Sequence, residues 1–162
     1  EDPKFDTWRD WIYHSVNNAA RWGSDYYDED FLEDFRMAYK KHDSLWEAEP
    51  SLLHNDTNLN NIVYDGRITG LIDFEWSMFG DPIYDLKDMH DEHPNLASDF
   101  REGYESVTRL PEDFVLKNKL YRLLKAVNLT QVAAKHWGDK GLKAMQDDVH
   151  DLMKELKSVT AQ

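Results

Sequence analysis

The sequence predicts a mainly α-helical fold with one small β-hairpin at its centre. Three observations carry that prediction. Apolar residues recur at helical spacing on both sides of residues 52–86. The central run LLHNDTNLNNIVYDGRITGLIDFEWSMFGDP, residues 52–82, changes to short strand-like segments around Asp65-Gly66. Hydrophobic residues make up 41% of the 162 and aromatic residues 13%, enough for one packed core.

Each element follows from local pattern. The first helix presents Trp8, Ile12, Ala19 and Trp22 near helical spacing, and Gly23 can close it. A second is expected to start at Asp28, whose carboxylate suits an N-cap, to present Phe31, Phe35, Ala38 and Leu45, and to end at Pro50. Ile62-Val63-Tyr64 and Ile68 through Phe74 then flank Asp65-Gly66, a pair that tolerates the positive φ angles of a type I′ turn. Helices are expected again from about 82 to 90 and about 95 to 107. After Pro111, Leu116, Leu120, Leu123 and Val127 make one stripe that Ala134 extends, and Gly138 and Gly141 read as a break. Leu142, Met145, Val149, Leu152, Leu156 and Val159 alternate steps of three and four. These stripes and Trp137 read as packing faces. Without an internal repeat, low-complexity tract or interdomain linker, residues 1–162 read as a single domain.

Composition narrows the function classes. The net charge of −13 repels nucleic acid and anionic lipid, so neither is an expected partner. It also concentrates cations; a cationic substrate is one reading, and ordinary solubility is the more common one. No apolar run approaches the ~20 residues of a membrane span. No signal-peptide pattern is present, which makes the expected location cytoplasmic. The absence of cysteine excludes disulfides and thiolate metal sites.

The chemistry concentrates in the central run. Asp56 and Asn61 lie five residues apart in a polar loop, and folding the hairpin brings Asp73 back beside Asn61. A carboxylate with an amide oxygen suits magnesium, a hard cation that takes few protein ligands. A second carboxylate nearby can accept or orient a hydroxyl proton. That division of labour is what phosphoryl transfer requires.

His54-Asn55-Asp56, four intervening residues and Asn61, then Ile72-Asp73-Phe74, resemble the catalytic and metal-binding loops of protein-kinase-like enzymes. With Gly80-Asp81-Pro82 and Asp85-Leu86, the run over about residues 52–86 resembles the aminoglycoside phosphotransferase and choline kinase group, which phosphorylates small molecules. The resemblance implies a kinase-like C-terminal lobe that uses ATP and magnesium to phosphorylate a hydroxyl of a small molecule, aminoglycoside- or choline-like. It makes Asp56 the catalytic residue and Asn61 and Asp73 the magnesium ligands, with Asn58, Asn61 and Asp73 facing the nucleotide. It makes His54 a scaffold residue bonded to backbone, and Asp81 and Asp85 braces that also cap the next helix. Glu75 and Trp76 are the best-placed substrate contacts, since a carboxylate with an aromatic face suits an ammonium group; Trp76 packing under the loop is the slightly favoured alternative. His90, Asp91, Glu92 and His93 either line the acceptor pocket or close a helix before Pro94.

Two departures from the family pattern matter. Asn55 stands where the family commonly has Gly, and Asn58 where relatives carry His or Lys. The strand-borne lysine and phosphate-covering loop of an N-terminal lobe have no counterpart: only Lys4, Lys40 and Lys41 precede the motif, and the seven glycines are scattered. The expectation is therefore a C-terminal lobe whose N-terminal lobe, in cis or in trans, is lacking, and an isolated chain that transfers phosphate poorly or not at all. Two rivals stand beside this reading. One is a non-catalytic, kinase-derived binding module. The other is a helical metal-dependent phosphohydrolase using the pairs His42-Asp43, His90-Asp91 or His150-Asp151, which leaves the hairpin unexplained.

Overall fold

The computed structural model describes the backbone of residues 4–92 and 97–159, and side chains in those ranges other than 88–92, 97 and 159. The start of the helix expected from about Asn95, the His93 and Pro94 helix end, and the side chains of His90, Asp91, Glu92 and Val159 therefore lie outside the described residues. The chain divides into two compact units, residues 1–47 with 119–162, and residues 48–118.

The first unit is helical. Helix α1, Trp8–Gly23, is capped by the Thr7 hydroxyl, which accepts from the Asp10 amide. It buries Trp8, Ile12, Val16, Ala19 and Ala20, while Trp22 is exposed rather than part of the stripe. Helix α2, Glu29–Lys41, starts where Asp28 accepts from the Phe31 amide at 2.8 Å. It ends earlier than expected. His42 leaves helical geometry, and Asp43–Trp46 forms a separate 3₁₀ turn that carries Leu45 and buries Trp46. Pro50 stops nothing, because the helix has already ended.

Helix α5, Phe114–His136, begins in the second unit and contributes its residues from 119 onward to the first. It buries Leu120, Tyr121, Leu123, Leu124, Ala126, Val127, Thr130 and Ala133, more than the single predicted stripe. Helix α6, Gly138–Val159, buries Val149, Leu152, Met153 and Leu156. The break between α5 and α6 is at Gly138, whose φ is +65°. Gly141 instead lies inside α6, where a Cβ would collide with Cβ of Trp137. Trp137 is half exposed and is not a core residue.

The second unit carries two two-stranded antiparallel ladders and helices α3, Ile83–Glu92, and α4, Ala97–Glu105. Strand β2, Ile62–Tyr64, pairs with β3, Ile68–Leu71. The predicted hairpin is present, but its second strand stops at Leu71 and its turn is not type I′. Three residues, Asp65 to Arg67, separate the strands, and of them only Gly66 has a positive φ, +70°. A slip between Val63 and Tyr64 lets the ladder take up the extra turn residue. The other ladder was not foreseen: β1, Ser51–Leu53, pairs with β4, Met78–Gly80. It closes residues 54–77 into one loop, so the polar segment and the hairpin share a base.

Candidate active site

The site is built on that closed loop, and Asp85 of α3 is its anchor. One carboxylate oxygen accepts the His54 amide and the other the Asn55 amide, both at 2.8 Å. The Thr57 hydroxyl donates to the Asp85 carbonyl at 2.8 Å. Three residues of the loop, His54, Asn55 and Thr57, are thereby tied to the first turn of one helix. Asp81 caps α3 by accepting from the Ile83 amide at 3.0 Å, and its other oxygen pairs with Lys117 at 2.7 Å in a buried contact.

His54 is buried and links the loop to the hairpin. Its ring bonds the Ile72 carbonyl through Nε2 at 2.8 Å, and the Asp56 amide donates to Nδ1 at 3.3 Å. A carbonyl can only accept, so the two partners fix the proton on Nε2. The ring also packs against Phe74, 4.5 Å between centroids. Asn55 takes a left-handed backbone, φ +64°, which asparagine tolerates better than most residues. Its side-chain amide donates to the Trp76 carbonyl at 3.2 Å and reaches the Met78 sulfur.

Asp56 is held by two amides. Asn58 Nδ2 donates to one carboxylate oxygen at 2.9 Å, and Asn61 Nδ2 donates to the other at 2.8 Å and to the Asp56 carbonyl at 2.9 Å. Each carboxylate oxygen keeps a second lone pair for an incoming hydroxyl. Asn58 is itself oriented by the Asn60 amide at 2.9 Å. Because Asn61 spends its nitrogen on Asp56, its Oδ1 is left without a protein partner among the described residues.

The Ile72 amide donates to the Asn61 carbonyl at 2.9 Å and sets Asp73 at the Asn61 end of the hairpin. Asp73 has φ +65°, is exposed, and makes no hydrogen bond to a described residue. A carboxylate and an amide oxygen, from residues that the backbone bond between Ile72 and Asn61 brings near one another, are oxygen donors of the kind magnesium takes. Glu75 and Trp76 follow in a tight turn closed by the Ser77 amide on the Phe74 carbonyl. Trp76 is 63% exposed, so it does not pack under the loop. Two residues that sequence reasoning passed over, Thr57 and the side chain of Asn55, hold this arrangement; Asn before Asp at a tight loop was the available signal for Asn55. Among the described residues no group of three or more His, Asp and Glu could hold a metal. His150 is instead packed against Tyr27 and Phe31.

The phosphotransferase enzyme family model, APH, matches residues 2–114, more than half of the chain. The chain belongs to the phosphotransferase enzyme family. No curated protein matches it. Among solved structures, this family member is similar to a thermostable mutant of aminoglycoside phosphotransferase APH(4)-Ia, with 22% identity over 94% of this chain and 54% of that one, TM-score 0.70. A ternary complex of a thermostable mutant of the same phosphotransferase with ADP and hygromycin B aligns at 20% identity over 93% of this chain and 53% of that one, TM-score 0.67. Macrolide 2′-phosphotransferase type I aligns at 18% identity over 88% and 48%, TM-score 0.59. The fold is therefore that of kinase-like phosphotransferases, and the chain spans about half the length of these structures. In the described residues no helix is long and apolar enough to cross a membrane.

Proposed function

We propose that this family member is the catalytic and acceptor-binding lobe of an ATP- and magnesium-dependent phosphotransferase acting on a hydroxyl of a small molecule. One observation carries the reading: Asp56 is fixed by the Asn58 and Asn61 amides at the end of the hairpin where Asn61 Oδ1 and Asp73 have no protein partner among the described residues. Asp56 accepts the acceptor's hydroxyl proton while the hydroxyl oxygen bonds to the γ-phosphorus and the bond to the ADP oxygen breaks. Asn61 and Asp73 would hold magnesium, which when bound screens the nucleotide phosphates. Asn58 has one amide N–H on Asp56 and a second for a phosphate oxygen. Asp85, His54 and Asp81 position the loop and touch no substrate.

The acceptor is read as cationic. Glu75 and Trp76 present a carboxylate and an open ring face next to the loop, in a chain of net charge −13. The phosphate-gripping lysine and covering loop would come from an N-terminal lobe, in cis or in trans. ADP and hygromycin B in the aligned ternary complex are consistent with this assignment.

Calorimetric titration of this chain with aminoglycosides, choline, ethanolamine, sugars and homoserine tests the acceptor assignment. A saturable signal for the cationic classes, altered by Asp56→Ala, is expected. With an N-terminal lobe joined to the chain, ATP-dependent turnover is expected to fall about 10²- to 10⁴-fold on Asp56→Ala. No magnesium-dependent ATP binding by the joined protein would favour a non-catalytic binding module instead.

A further inference from the structure

A cavity of about 410 Å³ lies in the first unit, among α2, α5 and α6, and none of its residues belongs to the catalytic loop. Its apolar side is formed by Met37, Ala38, Leu120, Met153 and Leu156. Two of these are methionines, unbranched and able to follow the shape of a flexible ligand. The volume lies within the range of small-molecule sites.

The rim has the opposite character to the rest of the chain. Lys40, Lys41 and Lys157 stand there against a single acid, Asp34, in a protein of net charge −13. Lys157 Nζ pairs with Asp34 at 2.5 Å. That leaves the ammonium groups of Lys40 and Lys41 without a protein partner among the described residues. Both stand in the last turn of α2, where they offset the negative helix end; two cations without a carboxylate partner among the described residues, at one apolar opening, also complement an anion.

We propose that this cavity binds a small amphiphilic anion, an apolar chain carrying one carboxylate, with the chain against Met37, Met153 and Leu156 and the head at Lys40 and Lys41. His42 borders the head position. Burial, and secondarily the Lys41 charge, lower its pKa, so near neutral pH the ring meets the carboxylate as a neutral hydrogen-bonding group. The site is independent of the phosphotransferase reading and stands or falls separately from it.

The test is titration of the full chain with decanoate and, in parallel, decanol, followed by calorimetry and by the His42 ring resonance, assigned with His42→Gln. Saturable decanoate binding that shifts the His42 resonance and exceeds decanol binding is expected. The Lys40→Gln, Lys41→Gln double variant, both positions exposed, is expected to weaken decanoate about three- to tenfold and leave decanol unchanged. Absence of binding, equal affinity for decanol, or decanoate binding that leaves His42 unmoved would each overturn the proposal.

Discussion

The two units differ in where their polar groups are left open. In the helical unit the buried polar atoms of the large aromatic residues find partners inside the fold. Trp8 donates to the Tyr121 hydroxyl at 2.8 Å, Trp46 to the Tyr39 carbonyl at 3.1 Å, Tyr39 to the Leu120 carbonyl at 2.7 Å, and Tyr27 bonds Thr130 at 2.7 Å. In the loop-and-hairpin unit, Asp73 and the Asn61 oxygen have no such partners among the described residues, and two of the described non-glycine residues, Asn55 and Asp73, adopt left-handed backbones. Large apolar side chains also stand open there, among them Phe79 at 73% exposed. The difference separates two jobs. Paired groups in a tight core stabilise, whereas strain and open lone pairs persist only where surrounding bonds hold them, and they fall in the unit for which phosphoryl transfer is proposed.

The sharpest way to break that comparison is to remove what holds the strain. Asp85→Ala takes away two charge-assisted hydrogen bonds and leaves the His54 and Asn55 amides without acceptors. A loss of about 3 to 5 kcal/mol is expected in the second unit, more than most single substitutions produce. Hydrogen exchange should locate it: amides of residues 51–57 and 78–80 lose protection, while those of α1 and α2 keep theirs. A uniform loss across both units, or a change below about 0.5 kcal/mol, would mean that Asp85 does not set the contrast.

A smaller effect of opposite sign comes from the strained residues themselves. Asp73→Gly deletes a carboxylate that bonds no described residue and relieves a left-handed φ, so stability should hold or rise by up to about 1 kcal/mol in a urea titration. Asn55→Gly relieves the same strain but also loses the bond to the Trp76 carbonyl, and should come out near zero. Asn55→Ala loses the bond and keeps the strain, for a cost of about 1 to 2 kcal/mol. If Asp73→Gly instead destabilises, Asp73 has a structural duty and the division between the units is less clean.

What could be read in the sequence follows the same line. The helices of the first unit and the Asp28 cap were legible because their signals are local: spacing of apolar residues and a side chain three residues from the amide it accepts. The meeting of Asp56 with Asn61 was legible for the same reason, and the hairpin of Ile62–Tyr64 with Ile68–Leu71 brings Asp73 back with only a short turn. The β1–β4 ladder was not, since Ser51–Leu53 and Met78–Gly80 are three-residue strands without alternation, recognisable only by each other. The end of α2 was misplaced because Pro50 is a visible stop, whereas the true end at His42 is a change of backbone angle in a run of good helix formers. Trp137 reads as part of a packing face on hydrophobicity, but its place just before Gly138 leaves half its surface open. Asn55 hid behind its neighbours, because a side chain that serves by accepting a positive φ leaves no periodic trace.

The least effect belongs to the first unit and depends on pH. Burial and the neighbouring Lys41 charge lower the His42 pKa below 6.5 in the folded chain. Between the unfolded value and the lowered folded value, the unfolded chain binds the extra proton, so protonation favours unfolding. Stability from this group is intact above pH 6.5 and is lost as pH falls through 6.5 toward the folded pKa. His42→Gln removes that slope and should make the first unit's unfolding less acid-sensitive below pH 6.5, by less than about 1 kcal/mol, with the second unit unchanged. Urea midpoints from pH 7.5 downward, read by circular dichroism beside hydrogen exchange in α2, measure it. Parallel slopes for wild type and variant would show that the His42 ring is free to protonate where it sits.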